Sequence, residues 1–313
     1  MQTLRRAHAT LPVFLTLAVW SSSTQAAEGG TSFYLPGTAG DIALAQSAEP
    51  GLQVANSVYY QSGDVDAAVV QGNVNLGLDL SMILDIIAAG YTFEQDVLGA
   101  TYTVGAAFPF GRAKLKATID VEGAGSRSAN RDSINVGDIA LVPLELTWTI
   151  GNLSVQLGET IFVPTGAYDV DKVVNIGLNR WGFDTTLAAT YFNLDTGTEV
   201  SVAPGILFNT ENDKTDYETG TEFHLDYTVN QFLSETFAVG LRGYYYNQIS
   251  DDSGGGALLD GFQGESVGLG PGFVWFPKVA DGDIAILGKW IHDIDATNRI
   301  ESDYVTMTMA WTF

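Results

Sequence analysis

The chain has 313 residues, with 14 lysines and arginines against 37 aspartates and glutamates, a net charge of −23 and no cysteine. So acidic a surface repels phosphate backbones, which excludes nucleic acid as a partner, and the missing thiols exclude disulfide staples and thiolate metal sites. A hydrophobic share of 46% at a mean hydropathy of +0.11 is too low for a bundle of membrane helices, while Gly, Tyr and Phe are abundant at 35, 13 and 16.

The first 26 residues read as a signal peptide: Arg5 and Arg6 form a basic start, residues 11–20 (LPVFLTLAVW) an apolar core, and Thr24-Gln25-Ala26 a small-x-small cleavage site. Residues 27–51 are rich in Gly, Ala and Pro and lack sustained alternation. Two readings stay open for them, a periplasmic extension or a hatch tucked into a lumen.

From 52 to 313 the text is a series of two-residue alternations, the signature of strands. Residues 52–61 form a short strand closed by a Gly63-Asp64 turn signal, and a long alternation runs from 70 to 93. Residues 97–108 and 112–122 follow across a tight Pro109-Phe110-Gly111 turn, then a polar loop at 123–134. Further strands are expected at 138–150, 153–164, 181–193, 198–209, 217–231, 237–249, 266–277, 283–293 and 304–313. The clearest is 217–231, where Phe223, Leu225, Tyr227 and Val229 oppose Glu222, His224, Asp226 and Thr228.

Short turns at 109–111, 151–152, 194–197 and 232–235 alternate with longer polar loops at 123–134, 165–180, 250–261 and 294–302. That asymmetry is the habit of outer-membrane barrels, and hydrocarbon tolerates a sheet only if it is closed. The expected fold is therefore all-β, a transmembrane antiparallel up-and-down β-barrel over 52–313 with an even strand number. Fourteen strands are preferred, with 52–61 included and 70–93 split; twelve is the alternative, with 70–93 as the first strand. Aromatics near strand ends, among them Tyr60, Trp148, Trp181, Trp275, Trp290 and Trp311, suit interfacial girdles against outer-membrane lipid. The terminal Phe313 is the expected handle for the barrel-assembly machinery.

The same alternation assigns Arg112, Lys114, Lys116, Arg242 and Lys289 to the lumen, together with Glu145, Glu218, Glu222, Asp226 and His224. Opposite signs facing one another across a wet interior read as paired, solvated charges. His224 between Glu222 and Asp226 has the spacing of an oriented acid/base, yet no serine is singled out beside it, so no catalytic residue is assigned. The acidic pairs lack the spacing of a calcium loop, and neither metal nor cofactor is expected. In the loop at 250–261 and just beyond it, Ala257, Leu258, Leu259 and Phe262 are apolar where a solvated loop should not be, and are the expected ligand-capture patch.

Pieces of text spread over the chain carry a resemblance: Tyr34-Leu35-Pro36-Gly37, Glu49-Pro50-Gly51, Leu98-Gly99-Ala100, Pro143-Leu144-Glu145-Leu146, Pro164-Thr165-Gly166-Ala167-Tyr168 and the run from Gly220 to Tyr227. Together they resemble the outer-membrane family named after phenol meta-pathway degradation. The resemblance implies a transmembrane barrel in the outer membrane of a Gram-negative bacterium, associated with uptake of aromatic or other hydrophobic compounds and without catalytic residues. Residues 289–293, KWIHD, depart from the family's Trp followed by an acidic residue. The expected function is a monomeric channel for passive uptake of small hydrophobic or aromatic solutes. A non-transporting structural or adhesive surface protein is the alternative, and a barrel hydrolase using His224 a third reading.

Overall fold

The computed structural model describes residues 27–39, 42–70, 73–121, 125–172, 174–257, 263–278 and 283–313. The expected leader lies outside these residues, as do Leu258, Leu259 and Phe262. Fifteen strands are described: β1 (Gly51–Val70), β2 (Asn73–Thr92), β3 (Thr101–Val121), β4 (Gly125–Val136), β5 (Ile139–Ile150), β6 (Leu153–Val163), β7 (Gly182–Asn193), β8 (Thr198–Asn209), β9 (Glu211–Asn212), β10 (Tyr217–Glu218), β11 (Glu222–Ser234), β12 (Phe237–Gln248), β13 (Glu265–Trp275), β14 (Asp283–Thr297) and β15 (Glu301–Thr312).

Twelve of them close into one antiparallel ring, in the order β1, β2, β3, β5, β6, β7, β8, β11, β12, β13, β14, β15. The seam is β1 on β15, in register from Gln53 opposite Thr312 to Asp64 opposite Glu301. β4 stands outside the ring on the far half of β3, and β9 with β10 makes a separate two-stranded hairpin.

The preference for fourteen strands is thereby corrected to twelve: the alternation expected to split within 70–93 is the single strand β2, and 97–108 and 112–122 are one strand, β3. Two turn signals also lie inside ladders. Gly63 and Asp64 stay inside β1, opposite Ser302 and Glu301 on one side and Leu80 and Asp79 on the other. Pro109, Phe110 and Gly111 stay inside β3. Proline has no N–H for a ladder, and Pro109 sits where none is needed: β3 pairs with β5 over Thr101 to Ala107 and with β4 from Phe110 onward. The polar stretch expected as a loop at 123–134 supplies most of β4. A left-handed Leu98-Gly99 pair, with φ of 55° and 75°, turns the chain between β2 and β3, so that strand begins later than the expected 97.

Tight connections at Gly151-Asn152, at 194–197 and at Glu235-Thr236 share the end of the ring that holds Gly51 and Phe313, and one short turn, at 298–300, lies at the opposite end. The long ones, at 164–181, 210–221 and 249–264, also lie at that opposite end. The short-turn end is periplasmic by the rule of such barrels.

Large apolar side chains are exposed on the outer wall, including Ile83, Ile87, Leu187, Val202, Leu241 and Met307. Their strand neighbours on the inner wall are buried and mostly polar or phenolic: Glu199, Glu222, Asp226, Arg242, Tyr244 and Tyr304. This inverts a soluble protein, and it is the arrangement that acyl chains outside a closed sheet require. Polar pairs interrupt this outer wall: Asn56 donates from its amide to Asp85, between Val58, Ile83 and Ile87 on the same face, and Thr185 donates to Glu159 (2.6 Å) in line with Phe183 and Leu187.

A plugged lumen and an apolar cavity

Residues 27–39 and 42–49 run through the ring from the loop end to the short-turn end, tied to the wall by side-chain bonds. The Ala27 N–H donates to Asp252 Oδ2 (3.0 Å) in the β12–β13 loop. Glu28 takes donors from Asn212 Nδ2 (3.0 Å), Thr215 Oγ1 (2.7 Å) and Tyr168 Oη (3.3 Å), and lies 3.5 Å from Arg180 Nη1 in a pair sealed from solvent. Ser32 donates to Glu222, and Tyr34 Oη to Asp226 Oδ1 (3.1 Å). Lower down, Lys289 Nζ donates to the Ala39 carbonyl (2.6 Å) and Thr306 Oγ1 to that of Gly37 (3.3 Å). The Ala43, Leu44 and Ala45 N–H groups then donate to Glu199 (3.2 Å), Ser201 (3.2 Å) and Thr190 (2.9 Å). A segment without secondary structure needs such side-chain partners for its buried N–H and C=O groups, and the polar inner wall supplies them.

Phe33 and Tyr34 anchor the segment at mid-lumen. Phe33 stacks on Phe162 at 4.5 Å with the Arg180 guanidinium 5.4 Å from its ring. Tyr34 stacks on His224 and lies among Tyr244, Tyr246 and Tyr59, in the main cluster of buried apolar side chains. His224 is fixed in turn by Asp184, 2.9 Å from Nε2, and Asp226, 3.6 Å from Nδ1. Its ring occupies the place a β-carbon on Gly205 would take, so that strand position opposite it must lack one.

Charges at the loop end complete the plug. Asp138, between β4 and β5, accepts from the Gly166 N–H (2.8 Å) and the Leu178 N–H (2.6 Å) and so holds both ends of the β6–β7 loop. Burial pushes its carboxyl above the ordinary range. Tyr168 is pushed up to about 12 by burial and by the Glu28 carboxylate beside it.

Between Phe33, Tyr34 and the β2–β3 wall lies a cavity of about 180 Å³. Its lining is mainly apolar, with Leu78, Leu80, Met82, Leu84 and Leu115 from the strands and Val174, Ile176 and Leu178 from the β6–β7 loop; Arg180 and Arg299 also border it. A larger cleft of about 710 Å³ is lined by polar residues instead, among them Asp64, Asp79, Lys114, Asp132 and Asp303.

Of the residues read from the sequence as lumenal, Glu222, His224, Asp226, Arg242 and Lys289 are buried on the inner wall, and the inserted segment touches Glu222, His224, Asp226 and Lys289. Glu145 shares that face, opposite Thr103. Arg112, Lys114 and Lys116 do not. They continue the outward parity of Phe108 and Phe110 through the unbroken β3, exposed, with Arg112 paired to Asp132 and Lys116 to Asp79 at 3.0 Å. Glu218 also lies elsewhere, exposed in the β9–β10 hairpin opposite Glu211. Sequence reasoning missed Arg180, Arg299, Asp138 and Asp184. The first three lie in connections, where no period marks a face; for the inserted segment, the composition of residues 27–51 left a lumen hatch open as one of two readings.

A closed twelve-stranded ring with a lipid-facing exterior and a polar, phenolic interior defines a transmembrane β-barrel of the outer membrane. A family model described as "Putative MetA-pathway of phenol degradation" matches residues 55–309, and the chain belongs to that family. No protein of curated function matches the sequence. Among solved structures, an outer membrane channel from Pseudomonas putida F1 superposes with a TM-score of 0.68 at 17% identity, over 90% of this chain and 100% of that one. The translocator domain of the autotransporter NalP from Neisseria meningitidis gives 0.46 at 11% identity, over 85% and 90%. The CymD monoaromatic hydrocarbon channel gives 0.43 at 8%, over 85% and 89%.

Proposed function

We propose that this barrel is a channel for passive uptake of small hydrophobic or aromatic molecules, which enter from the loop end and are held first in the cavity beside Phe33. The observation that carries the reading is the pairing of an apolar cavity of about 180 Å³ with a lumen otherwise sealed by residues 27–49. A cavity of about 150 Å³ lined by Leu, Ile and Phe stays dry and takes up benzene, so this one has the volume for a single substituted ring. The inserted segment acts as a hatch: it blocks free flow of water-soluble solutes and offers two aromatic faces to an apolar one. His224 serves as a hatch anchor in this reading and not as an acid/base, since its ring face is covered by Tyr34. Insertion into the membrane uses the β15 strand ending in Phe313 as the segment read by the assembly machinery.

The continuous bonding of the hatch favours one second reading, a permanently closed barrel with a structural role. Proteoliposomes separate the two. Wild-type protein should pass toluene or phenol faster than a sugar of similar mass, and the closed-barrel reading holds if neither crosses above the lipid background.

A further inference from the structure

Of the four charged side chains bordering the apolar cavity, three are held by direct polar contacts. Glu28 and Arg180 face each other, and Arg180 also donates to Asn209 Oδ1 (3.1 Å) and the Thr31 carbonyl (3.3 Å). Asp138 has both carboxylate oxygens engaged by backbone N–H groups. Arg299, in the three-residue turn between β14 and β15, is different. Its guanidinium lies over the Tyr246 ring, 3.6 Å from the centroid, and among the described residues no carboxylate stands in ion-pair contact with it. Two carboxylates, Glu222 and Asp293, act on it only through space, and their hydrogen bonds go elsewhere: Asp293 accepts from Tyr304 Oη (3.1 Å) and the Ser302 N–H (2.9 Å), and Glu222 from Asn209 Nδ2 (2.8 Å).

A half-buried guanidinium that rests one face on an aromatic ring keeps its edge, with its fork of N–H donors, for an in-plane acceptor. The acceptor matching that fork is a planar carboxylate, which takes two parallel hydrogen bonds. Lys would not replace it, because a point charge lacks the planar geometry. We infer that the cavity selects a small aromatic or alicyclic carboxylate, its ring against Leu80, Met82 and Phe33 and its carboxylate on Arg299. This rests on the proposed uptake function and names the substrate class for the same cavity. In a chain of net charge −23 the long-range field disfavours anions, so recognition falls to this single guanidinium at short range.

The test is calorimetric titration of the purified full-length barrel in detergent with benzoate, benzamide and toluene. Wild-type protein should bind benzoate about tenfold or more above benzamide, the discrimination expected of a bidentate charge-assisted pair. Arg299→Met should abolish that preference while toluene binding persists, and Arg299→Lys should keep only part of it. Heat-modifiable gel migration verifies that each variant is folded, and the wild-type comparison stands even if neither variant folds. Toluene binding with no preference for benzoate overturns the carboxylate assignment and leaves the uptake reading in place. Failure of all three to bind overturns the cavity as a ligand site, and the assignment with it.

Discussion

The phenol ring of Tyr34 lies flat on the imidazole of His224, with centroids 4.3 Å apart and planes 19° from parallel. This stack joins the inserted segment to the middle of β11, and the Tyr34 hydroxyl adds a bond to Asp226 on the same strand. Aromatic stacking contributes about 0.5–1.5 kcal/mol beyond burial, and a buried hydrogen bond about 1 kcal/mol more. Tyr34→Ala should therefore loosen the hatch and raise single-channel conductance in planar bilayers. Tyr34→Phe, which keeps the stack, should do so much less. Equal conductance in all three proteins would remove Tyr34 from the gate.

The Glu28–Arg180 pair should hold the upper end of the segment. Removing one partner of a buried ion pair costs about 3–5 kcal/mol, because the other charge is left stranded, whereas replacing both costs far less. The chain has no cysteine of its own, so Thr38→Cys gives a clean reporter of lumen access. Maleimide labelling of that position should quicken strongly with Arg180→Met, and the double replacement Glu28→Met with Arg180→Met should bring it part of the way back.

Gly205 has no room for a side chain because the His224 ring fills that place. Overpacking of this kind costs about 1–3 kcal/mol. Gly205→Ala should lower the urea midpoint of unfolding, followed by heat-modifiable migration, and Gly205→Ala combined with His224→Ala should recover most of the loss.

Asp138 gives the loop end a pH dependence of defined sign. Burial raises its carboxyl, so the folded protein holds that proton more tightly than the unfolded chain. The group's contribution is fully present below the ordinary carboxylate range and is lost as pH rises through the raised value. Asp138→Asn should flatten that step. It should also make the β6–β7 loop easier to nick with protease at every pH, since an amide nitrogen cannot accept the Gly166 or Leu178 N–H.

Asn56 and Asp85 form a polar pair on the wall that meets lipid. Charged residues there destabilise such barrels in a depth-dependent way. Asn56→Val with Asp85→Leu should raise the unfolding midpoint, and Asn56→Val alone should lower it by leaving the carboxylate unpartnered. A stability unchanged in both variants would show that the pair stands at the interface with water.

The sequence made most of the wall legible from β5 onward, where strict alternation is interrupted by residues that do turn, such as Gly151-Asn152. It misled where a turn residue lies in a ladder that tolerates it. Reading Pro109 to Gly111 as a turn broke the parity of β3, and with it the side on which Arg112, Lys114 and Lys116 emerge. Counting on from Phe108 without a break would have set them outside. Glu222, His224 and Asp226 were legible as wet-face residues because β11 is uninterrupted. Arg180, Arg299 and the path of residues 27–49 were not, since irregular backbone has no period and its partners lie about 145 to 270 positions away in the chain.

Ala27 is bonded at one mouth of the barrel and Gly51 starts β1 at the other, while the seam joins the first strand of the ring to the last. This dictates a chronology. The stretch preceding β1 must either wait inside a still-open sheet until β15 arrives, or be drawn as a loose end through a finished cylinder. In the first route Tyr34, Glu28 and their partners template the curvature of the closing wall; in the second they are a late latch.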